Sequence, residues 1–209
     1  MEKFVTLTAT ACPLTMPNLN TDQILPARYL KWPRSKGLGT VLFQDLRFDA
    51  DGKENPDFPL NRPAFRGAKI LLGGRNFGGG SSREAAVYAV YDSGVRCVIA
   101  PSFGDIFAQN AVKNGLLAAI VPEEEIAPFA AAVTADPART ITVDLERQVI
   151  ESGNLRCTFA IEPVSRNQLL NGWDDIDLTE SRRAEITAFR ARDLRGRPWA
   201  MPAEARIKH

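Results

Sequence analysis

Apolar and polar residues follow two spacings along this chain, and together they predict a sheet whose strands alternate with helices. Residues 3–11 alternate with a period of two, which predicts a first strand. Short apolar runs at 69–72, 95–100 and 116–121 each lead into a longer stretch with helical spacing. Those stretches are residues 82–92, 103–114 and 123–134. Strand–helix units repeated in this way predict a parallel sheet core.

The spacing changes after residue 135, where the apolar runs become shorter. Residues 140–143, 148–151 and 157–161 predict three strands of a small antiparallel, β-rich appendage. The other predicted elements are a loop over residues 12–26, a helix over 40–48, and two closing helices over 163–171 and 178–192. We therefore expect one α/β domain over residues 1–209, with a partly parallel sheet and flanking helices.

Charge and composition indicate which kinds of binding partner this chain is expected to lack. Among 209 residues, 26 are Lys or Arg and 25 are Asp or Glu, which gives a net charge of +1. Without a basic excess, we expect neither nucleic acid nor a membrane surface as a partner. No apolar run approaches the ~20 residues of a membrane span, and the first residues alternate like a strand rather than like a signal peptide. The cytoplasm is therefore the expected location.

Residues that usually hold metals or transfer protons are few. Cys12, Cys97 and Cys157 are far apart and form no C-x-x-C pair, which argues against a disulfide framework, a zinc site or an iron–sulfur site within this chain. The single histidine is His209, the last residue. We therefore expect no metal and no cofactor bound by this chain. Any acid–base chemistry would fall to Ser, Lys, Tyr, Asp, Glu or Arg.

A turn of three glycines, two serines, an arginine and a glutamate occupies residues 78–84, between a predicted strand and a predicted helix. Backbone N–H groups at a helix start bind anions, and an arginine can grip a carboxylate with two parallel hydrogen bonds. Gly80 stands where a P-loop needs lysine, and Arg83 stands where a dinucleotide-binding turn needs a third glycine. A small di- or tricarboxylate fits better. The alternative is structural, with Ser81 and Glu84 forming a capping box.

Four further segments accompany this turn in a fixed order along the chain. They are residues 20–26, 43–48, 100–107 and 171–176. Together with residues 76–84, they resemble the small-subunit family of 3-isopropylmalate dehydratase, the swivelling domain of the aconitase superfamily. The resemblance implies a swivelling β/β/α domain. It also implies a hydro-lyase that isomerises 2-isopropylmalate and 3-isopropylmalate by dehydration and rehydration, in leucine biosynthesis.

The resemblance further implies a partner and a division of labour. Members of this family form a heterodimer with a large subunit, which carries a 4Fe–4S cluster. Ser81 corresponds to the general base, and Arg83 corresponds to the arginine that holds a substrate carboxylate. Gly79, Gly80 and Ser82 would donate further hydrogen bonds to the substrate. The other expected substrate-binding residues are Thr21 and Asp22 on the cluster side, and Tyr29, Leu30 and Lys31 in a substrate-recognition loop.

The chain departs from the family pattern in its central turn. The family usually has a cysteine where this chain has Gly79, and a histidine where this chain has Ala86. These departures leave open a related hydro-lyase for another small diacid, such as a methyl-substituted malate or citraconate. A non-catalytic carboxylate-binding module is a third possibility. For Thr21 and Asp22, shaping a local turn is the alternative to binding substrate.

Overall fold

One seven-stranded sheet organises the protein, whose computed structural model describes residues 1–80 and 83–200. The strands are β1 (Thr6–Leu14), β2 (Ile70–Gly73), β3 (Cys97–Ala100), β4 (Leu117–Ile120), β5 (Thr140–Asp144), β6 (Val149–Ser152) and β7 (Leu155–Thr158). Their order across the sheet is β4-β3-β2-β1-β5-β6-β7. Pairs from β4 to β1 are parallel, and pairs from β1 to β7 are antiparallel. The predicted α/β fold with a partly parallel sheet is confirmed.

The nine-residue strand β1 joins the two halves of the sheet. Its second half pairs in parallel with β2, where Ala11 lies opposite Ile70. Its first half pairs antiparallel with β5, where Thr6 lies opposite Asp144. Strands β2 and β3 are buried along their whole length, which explains why their sequences are unbroken apolar runs rather than alternating ones.

Eight α-helices connect or follow the strands within the described residues. They are α1 (Thr21–Ile24), α2 (Gln44–Arg47), α3 (Glu84–Asp92), α4 (Asp105–Lys113), α5 (Glu123–Ala135), α6 (Pro163–Asn171), α7 (Asp175–Glu180) and α8 (Arg183–Gly196). Short 3₁₀ turns cover Ala27–Tyr29, Arg34–Lys36, Leu38–Val41, Pro59–Asn61 and Pro198–Ala200. None of the helices in these parts of the chain is both long and apolar enough to cross a membrane.

The apolar core forms two layers. One layer contains Leu71 of β2 together with Val87 of α3 and Phe107 of α4. The other contains Ile70 of β2 together with Phe129 of α5. Because neighbouring strand residues point to opposite faces, the helices after β2 and β4 cover the two sides of the sheet. This packing fixes the carboxyl ends of the parallel strands along one edge.

The chain divides into two compact units, Met1–Trp173 and Asp174–His209. The first unit holds the whole sheet, and within it the Met1 amino group donates a hydrogen bond to the Gly172 carbonyl at 2.9 Å. The second unit contains α7 and α8 in its described part. The Asp174 carboxylate caps α7 by accepting hydrogen bonds from the first-turn backbone. The expectation of a single domain over residues 1–209 stays a prediction.

Three predictions about helices differ from the structure. The helix predicted over 40–48 is wrong, because Phe43 has a φ of 53° and separates a 3₁₀ turn from α2. The helix predicted over 178–192 is two helices, since α7 ends at Glu180 and is followed by its C-cap, Ser181. The Ser181 hydroxyl donates to the Leu178 carbonyl at 2.7 Å. Helix α3 begins at Glu84 with Arg83 as its N-cap, so its start lies beyond the position that a Ser81–Glu84 capping box requires.

Candidate active site

Three loops meet at the carboxyl ends of the parallel strands, where open α/β sheets bind their ligands. They follow β1, β2 and β3, and they lead into α1, α3 and α4. The middle loop is the glycine turn, residues 74–83. The predicted base Ser81 and the predicted donor Ser82 belong to this turn and lie outside the described residues. The geometry of the site is therefore given by the residues on either side of them.

The glycine turn is bound to the loop after β1 through the backbone. The Gly78 amide donates to the Leu19 carbonyl at 2.7 Å, and the Thr21 amide donates to the Gly79 carbonyl at 3.0 Å. The Thr21 side chain is buried, with an exposed fraction of 1 %. The structure thus brings the predicted Thr21–Asp22 pair beside Gly79 and Gly80.

A second set of contacts binds the turn to the loop after β3. The Phe77 amide donates to the Ser102 carbonyl at 3.0 Å, and the Ser102 hydroxyl accepts from the Asn76 amide at 2.9 Å. The Gly104 amide returns a hydrogen bond to the Phe77 carbonyl at 2.9 Å. The turn is therefore held from both sides, as precise positioning of a substrate requires.

Gly78 is a position in the turn where the structure leaves no room for a side chain. Its φ is +71°, and a Cβ there would lie 2.3 Å from the Phe107 ring. Phe107 packs edge-on against Phe77, with 5.5 Å between ring centroids, and both rings are buried. The backbone of the turn thus lies directly on an aromatic layer of the core.

Arg83 lies at the end of the turn and forms an ion pair with Asp22, the predicted substrate-binding residue of the loop after β1. The Arg83 side chain is only 20 % exposed, whereas that of Asp22 is 50 % exposed. As the N-cap of α3, Arg83 has extended backbone angles, φ −133° and ψ 101°. The guanidinium is therefore held at the mouth of the three loops, with a carboxylate already beside it.

The first turn of α3 carries a polar network. The Glu84 carboxylate accepts a hydrogen bond from the Asn114 side-chain amide at 3.2 Å. One turn later, burial and a hydrogen bond to Glu84 raise the pKa of the Tyr88 hydroxyl. Glu84, Tyr88 and Asn114 thus fix the helix start on which Arg83 depends.

The predicted recognition loop lies between α1 and α2. Tyr29 is half-buried and makes an edge-on contact with Trp32, with 4.9 Å between ring centroids. Leu30 is 40 % exposed, and Lys31 is also exposed. Among the described residues, these side chains form no hydrogen bond to Gly79, Gly80 or Arg83. Their substrate-binding role stays a prediction, as do the roles of the other site residues.

The three thiols are buried and separated. Cys12 belongs to one core layer, whereas Cys97 and Cys157 belong to the other. Burial raises the pKa of Cys12 to about 12 and that of Cys157 to about 11, and it raises the pKa of Cys97 further. Within the described residues, no group of three or more His, Cys, Asp or Glu side chains could hold a metal ion. This donor set does not suit an iron–sulfur cluster, which needs several thiolates at one point.

Comparison with known proteins identifies the family. The aconitase C-terminal domain family matches residues 1–124. The 3-isopropylmalate dehydratase small subunit of Rhodospirillum centenum is 50 % identical over 202 residues, which cover 96 % of this chain and 100 % of that protein. The chain belongs to the 3-isopropylmalate dehydratase small-subunit family. The small subunit of Paramagnetospirillum magneticum is 48 % identical over 202 residues, covering 95 % of this chain and 100 % of that protein.

A solved structure supports the fold of this small-subunit family member. The crystal structure of 3-isopropylmalate dehydratase from Methanocaldococcus jannaschii superimposes with a TM-score of 0.62 at 23 % identity. The match covers 88 % of this chain and 98 % of that one. The predicted resemblance is therefore confirmed, both by sequence over nearly the whole chain and by the shared architecture.

The structure shows what surrounds the residues at which this chain departs from the small-subunit family pattern. A Cβ on Gly79 would lie 2.6 Å from the Asn76 side-chain oxygen, so the Asn76 amide fills the space that a side chain at 79 would need. Asn76 has a φ of 56°, and its amide group donates to the Asn18 side chain at 3.0 Å. Ala85, which follows Glu84 directly, is half-buried, and Ala86 is fully buried in the core.

Sequence reasoning missed two features of this small-subunit site. The first is the ion pair of Arg83 and Asp22, whose positions are 61 residues apart and share no local pattern. The second is the support that Asn18 and Ser102 give to the glycine turn. Asparagine tolerates a positive φ better than most residues do. Asn18 and Asn76, which both have a positive φ, were therefore the sequence signal for this support.

Proposed function

We propose that this chain is the small subunit of a hydro-lyase that interconverts 2-isopropylmalate and 3-isopropylmalate in leucine biosynthesis. The observation that carries the proposal is the 50 % identity to a curated small subunit over nearly the entire chain. The architecture agrees with it, because the glycine turn, Asp22 and Arg83 converge at the carboxyl edge of the sheet. Both subunits would work in the cytoplasm, as expected for enzymes of amino-acid biosynthesis.

In this proposal Ser81 is the general base. As the alkoxide, the Ser81 side chain takes a proton from a carbon of the substrate. That carbon is next to the one that carries the substrate hydroxyl. After the hydroxyl has left, the double bond is hydrated in the opposite sense, which moves the hydroxyl to the neighbouring carbon. An alkoxide at neutral pH needs nearby donors and positive charge, which backbone N–H groups of the turn and Arg83 would supply.

Arg83 would bind one carboxylate of the substrate. A guanidinium has five N–H donors in a planar fork, so it can pair with Asp22 on one edge and offer another edge to a ligand. Gly79, Gly80 and Ser82 would add hydrogen bonds from the turn. Thr21 would act through its backbone bond to Gly79, since its side chain is buried.

A large subunit would complete the active site. A 4Fe–4S cluster, expected on that partner, would supply Lewis-acid assistance to the departing hydroxyl. The buried and separated thiols of this chain are unsuited to hold such a cluster, which agrees with a cluster on the partner. The resulting assembly is a heterodimer in which this chain contributes the base and the carboxylate clamp.

The decisive experiment is a substrate panel on the reconstituted pair. The large subunit encoded by the same genome is loaded with its cluster and mixed with this chain. Absorbance then follows the unsaturated diacid, which forms from a hydroxy diacid and disappears when citraconate is the substrate. Turnover of 2-isopropylmalate at a kcat/KM at least about tenfold above that for citramalate or citraconate supports the proposal. A preference for a methyl-substituted diacid assigns the chain to a related hydro-lyase. Binding without turnover of any diacid would make it a non-catalytic module.

A further inference from the structure

We propose that Arg34 is a positioning residue that fastens the recognition loop, residues 27–36, to helix α3. The inference rests on the proposed function for its effect on substrate choice. The contact itself joins Arg34 to Asp92, which is 58 positions away in the sequence. Arg34 would thereby link the loop that selects the substrate to the helix that begins at the clamp, Arg83.

The link is a two-pronged ion pair between Arg34 and Asp92. The Arg34 Nε donates to both carboxylate oxygens of Asp92, at 3.1 and 3.0 Å, and Nη2 donates to Oδ1 at 2.7 Å. Asp92 is the last residue of α3, and its side chain is only 19 % exposed. The hydrogen bond to Asp92 raises the pKa of Arg34. A bidentate pair of this kind constrains orientation as well as distance.

The Arg34 guanidinium also packs against aromatic side chains of α3. Its central carbon lies 4.4 Å from the centroid of the Tyr88 ring and 5.9 Å from that of Tyr91. Arg34 therefore lies between a carboxylate and an aromatic face, a combination that lysine cannot reproduce. Tyr88 lies one turn after Glu84 on α3, so the guanidinium of Arg34 contacts the same helix that has Arg83 as its N-cap.

A second attachment lies just beyond the loop. A Cβ on Gly39 would lie 2.4 Å from the backbone of Asp92 and Ser93, so this segment touches the end of α3 directly. The start of the loop has an attachment of its own, because Arg28 forms an ion pair with Asp45. Leu30 and Lys31 are exposed, whereas Tyr29 and Trp32 are partly buried and pack against the core. The Lys36 ammonium lies 5.1 Å from the centroid of the Trp32 ring.

This arrangement predicts a specific kinetic signature. If Arg34 holds the loop in place before the substrate arrives, its loss adds an ordering cost to binding and leaves the proton transfer itself intact. The Arg34→Ala variant should therefore raise KM about three- to tenfold, with kcat changed by less than about twofold. The Asp92→Ala variant should match it. The double variant should be no worse than either single one, because both remove the same contact.

Trp32 offers a readout that does not depend on activity. In a background where Trp173 and Trp199 are replaced by Phe, Trp32 is the sole indole. Loss of Arg34 should increase quenching of its fluorescence by acrylamide, and trypsin should cut faster after Lys31 and Lys36. Arg34→Lys should give an intermediate result, because it keeps the charge and loses the fork.

Arg156→Ala is the matched control. Arg156 also pairs with a carboxylate, that of Glu151 at 3.1 Å, and it lies on β7, away from the three loops. It should change neither KM nor Trp32 quenching. The inference is overturned if Arg34→Ala leaves both quenching and KM at wild-type values. It is also overturned if kcat falls while KM does not rise. A wild-type pair that fails to convert 2-isopropylmalate refutes the proposed function alone, because the quenching and trypsin results still test the loop attachment.

Discussion

The guanidinium of Arg83 is paired with the carboxylate of Asp22 across two loops of the sheet edge. The residue proposed to hold a substrate carboxylate therefore has a carboxylate partner of its own. This contact engages one terminal nitrogen of Arg83 and fixes the side chain before any ligand binds. Preorganisation of this kind lowers the entropy cost of forming the productive complex.

Arg83→Lys should impair substrate use strongly. Lysine retains the positive charge, but it cannot contact Asp22 and a substrate carboxylate through separate edges of a planar group. We expect kcat/KM of the reconstituted pair to fall by about 100-fold or more. Steady-state kinetics measure the effect, and an unchanged thermal midpoint shows that the fold is intact. A kcat/KM within about twofold of wild type would remove Arg83 from the clamp.

Ser81→Ala should abolish turnover without preventing assembly. Removing the proposed base leaves the backbone donors and Arg83 in place, so substrate binding should persist while proton transfer fails. We expect kcat to fall by about 10³-fold or more. Titration calorimetry of the variant with its large subunit tests assembly, and initial rates test turnover. Near-normal activity would refute the assignment of the base.

Gly78→Ala should destabilise the fold through a clash with Phe107. The added Cβ would lie 2.3 Å from that ring, in addition to the strain of a φ of +71°. We expect a loss of about 2–4 kcal/mol in the free energy of unfolding. Gly52→Ala is the matched control, because Gly52 has a φ of +79° but a Cβ there would have no atom within 4 Å. It should lose only about 1 kcal/mol. Urea titrations of both variants separate strain from clash, and equal losses would contradict the packing argument.

Gly79→Cys, which restores the usual family residue, should be tolerated only when Asn76 gives way. The Asn76 amide lies where the new side chain would project, and its bond to Asn18 holds it there. We expect a loss of about 1–2 kcal/mol from the single substitution. Adding Asn76→Gly should recover part of it, because glycine accepts the positive φ and frees the space. Gly67→Cys, at an open position, is the control. A fully stable Gly79→Cys protein would show that the two positions are independent.

The buried thiols should make stability fall at high pH. The folded state raises the pKa of Cys12 to about 12 and that of Cys157 to about 11, against an ordinary value of 9.0. Their stabilising contribution is complete below about pH 9 and is lost as pH rises through the folded-state values, because the unfolded state releases the protons first. In that window each thiol should lower the free energy of unfolding by up to about 1.4 kcal/mol per pH unit.

Single Cys→Ala variants check this pH dependence. Comparing Cys157→Ala with wild type between about pH 8 and 10.5 isolates one thiol from the tyrosines and lysines that titrate in the same range. The slope of stability against pH should be shallower in the variant. Slow labelling of all three thiols by a disulfide reagent at about pH 8, and rapid labelling in urea, provides a second test. Parallel stability curves would contradict the assignment.

Much of the fold was predictable because burial places apolar residues at regular spacings in the sequence. Strands β2 and β3 are buried on both faces and read as apolar runs, and the helices after them show helical spacing. Phe43 shows the limit of this reasoning. It is fully buried, so the apolar pattern placed it inside a helix, but its positive φ depends on tertiary packing that the pattern does not encode.

The site was predictable in its composition and not in its contacts. The glycine–serine turn was recognisable because its residue types suit an anion at a helix start. The pairing of Arg83 with Asp22 was not, because two loops must first be brought together by parallel strands. The same holds for Arg34 and Asp92, whose ion pair depends on how α3 packs against the segment before α2.

Strand β1 has a consequence for the order in which the protein can fold during synthesis. It leaves the ribosome before the other strands of the sheet, but Thr6 can pair with Asp144, and Ala11 with Ile70, only after those residues have been synthesised. The nascent chain can complete the parallel half of the sheet while the first residues of β1 still have an open hydrogen-bonding edge. That edge closes only when β5 has been translated. We therefore expect the growing chain, rather than the finished protein, to be the form most dependent on chaperones.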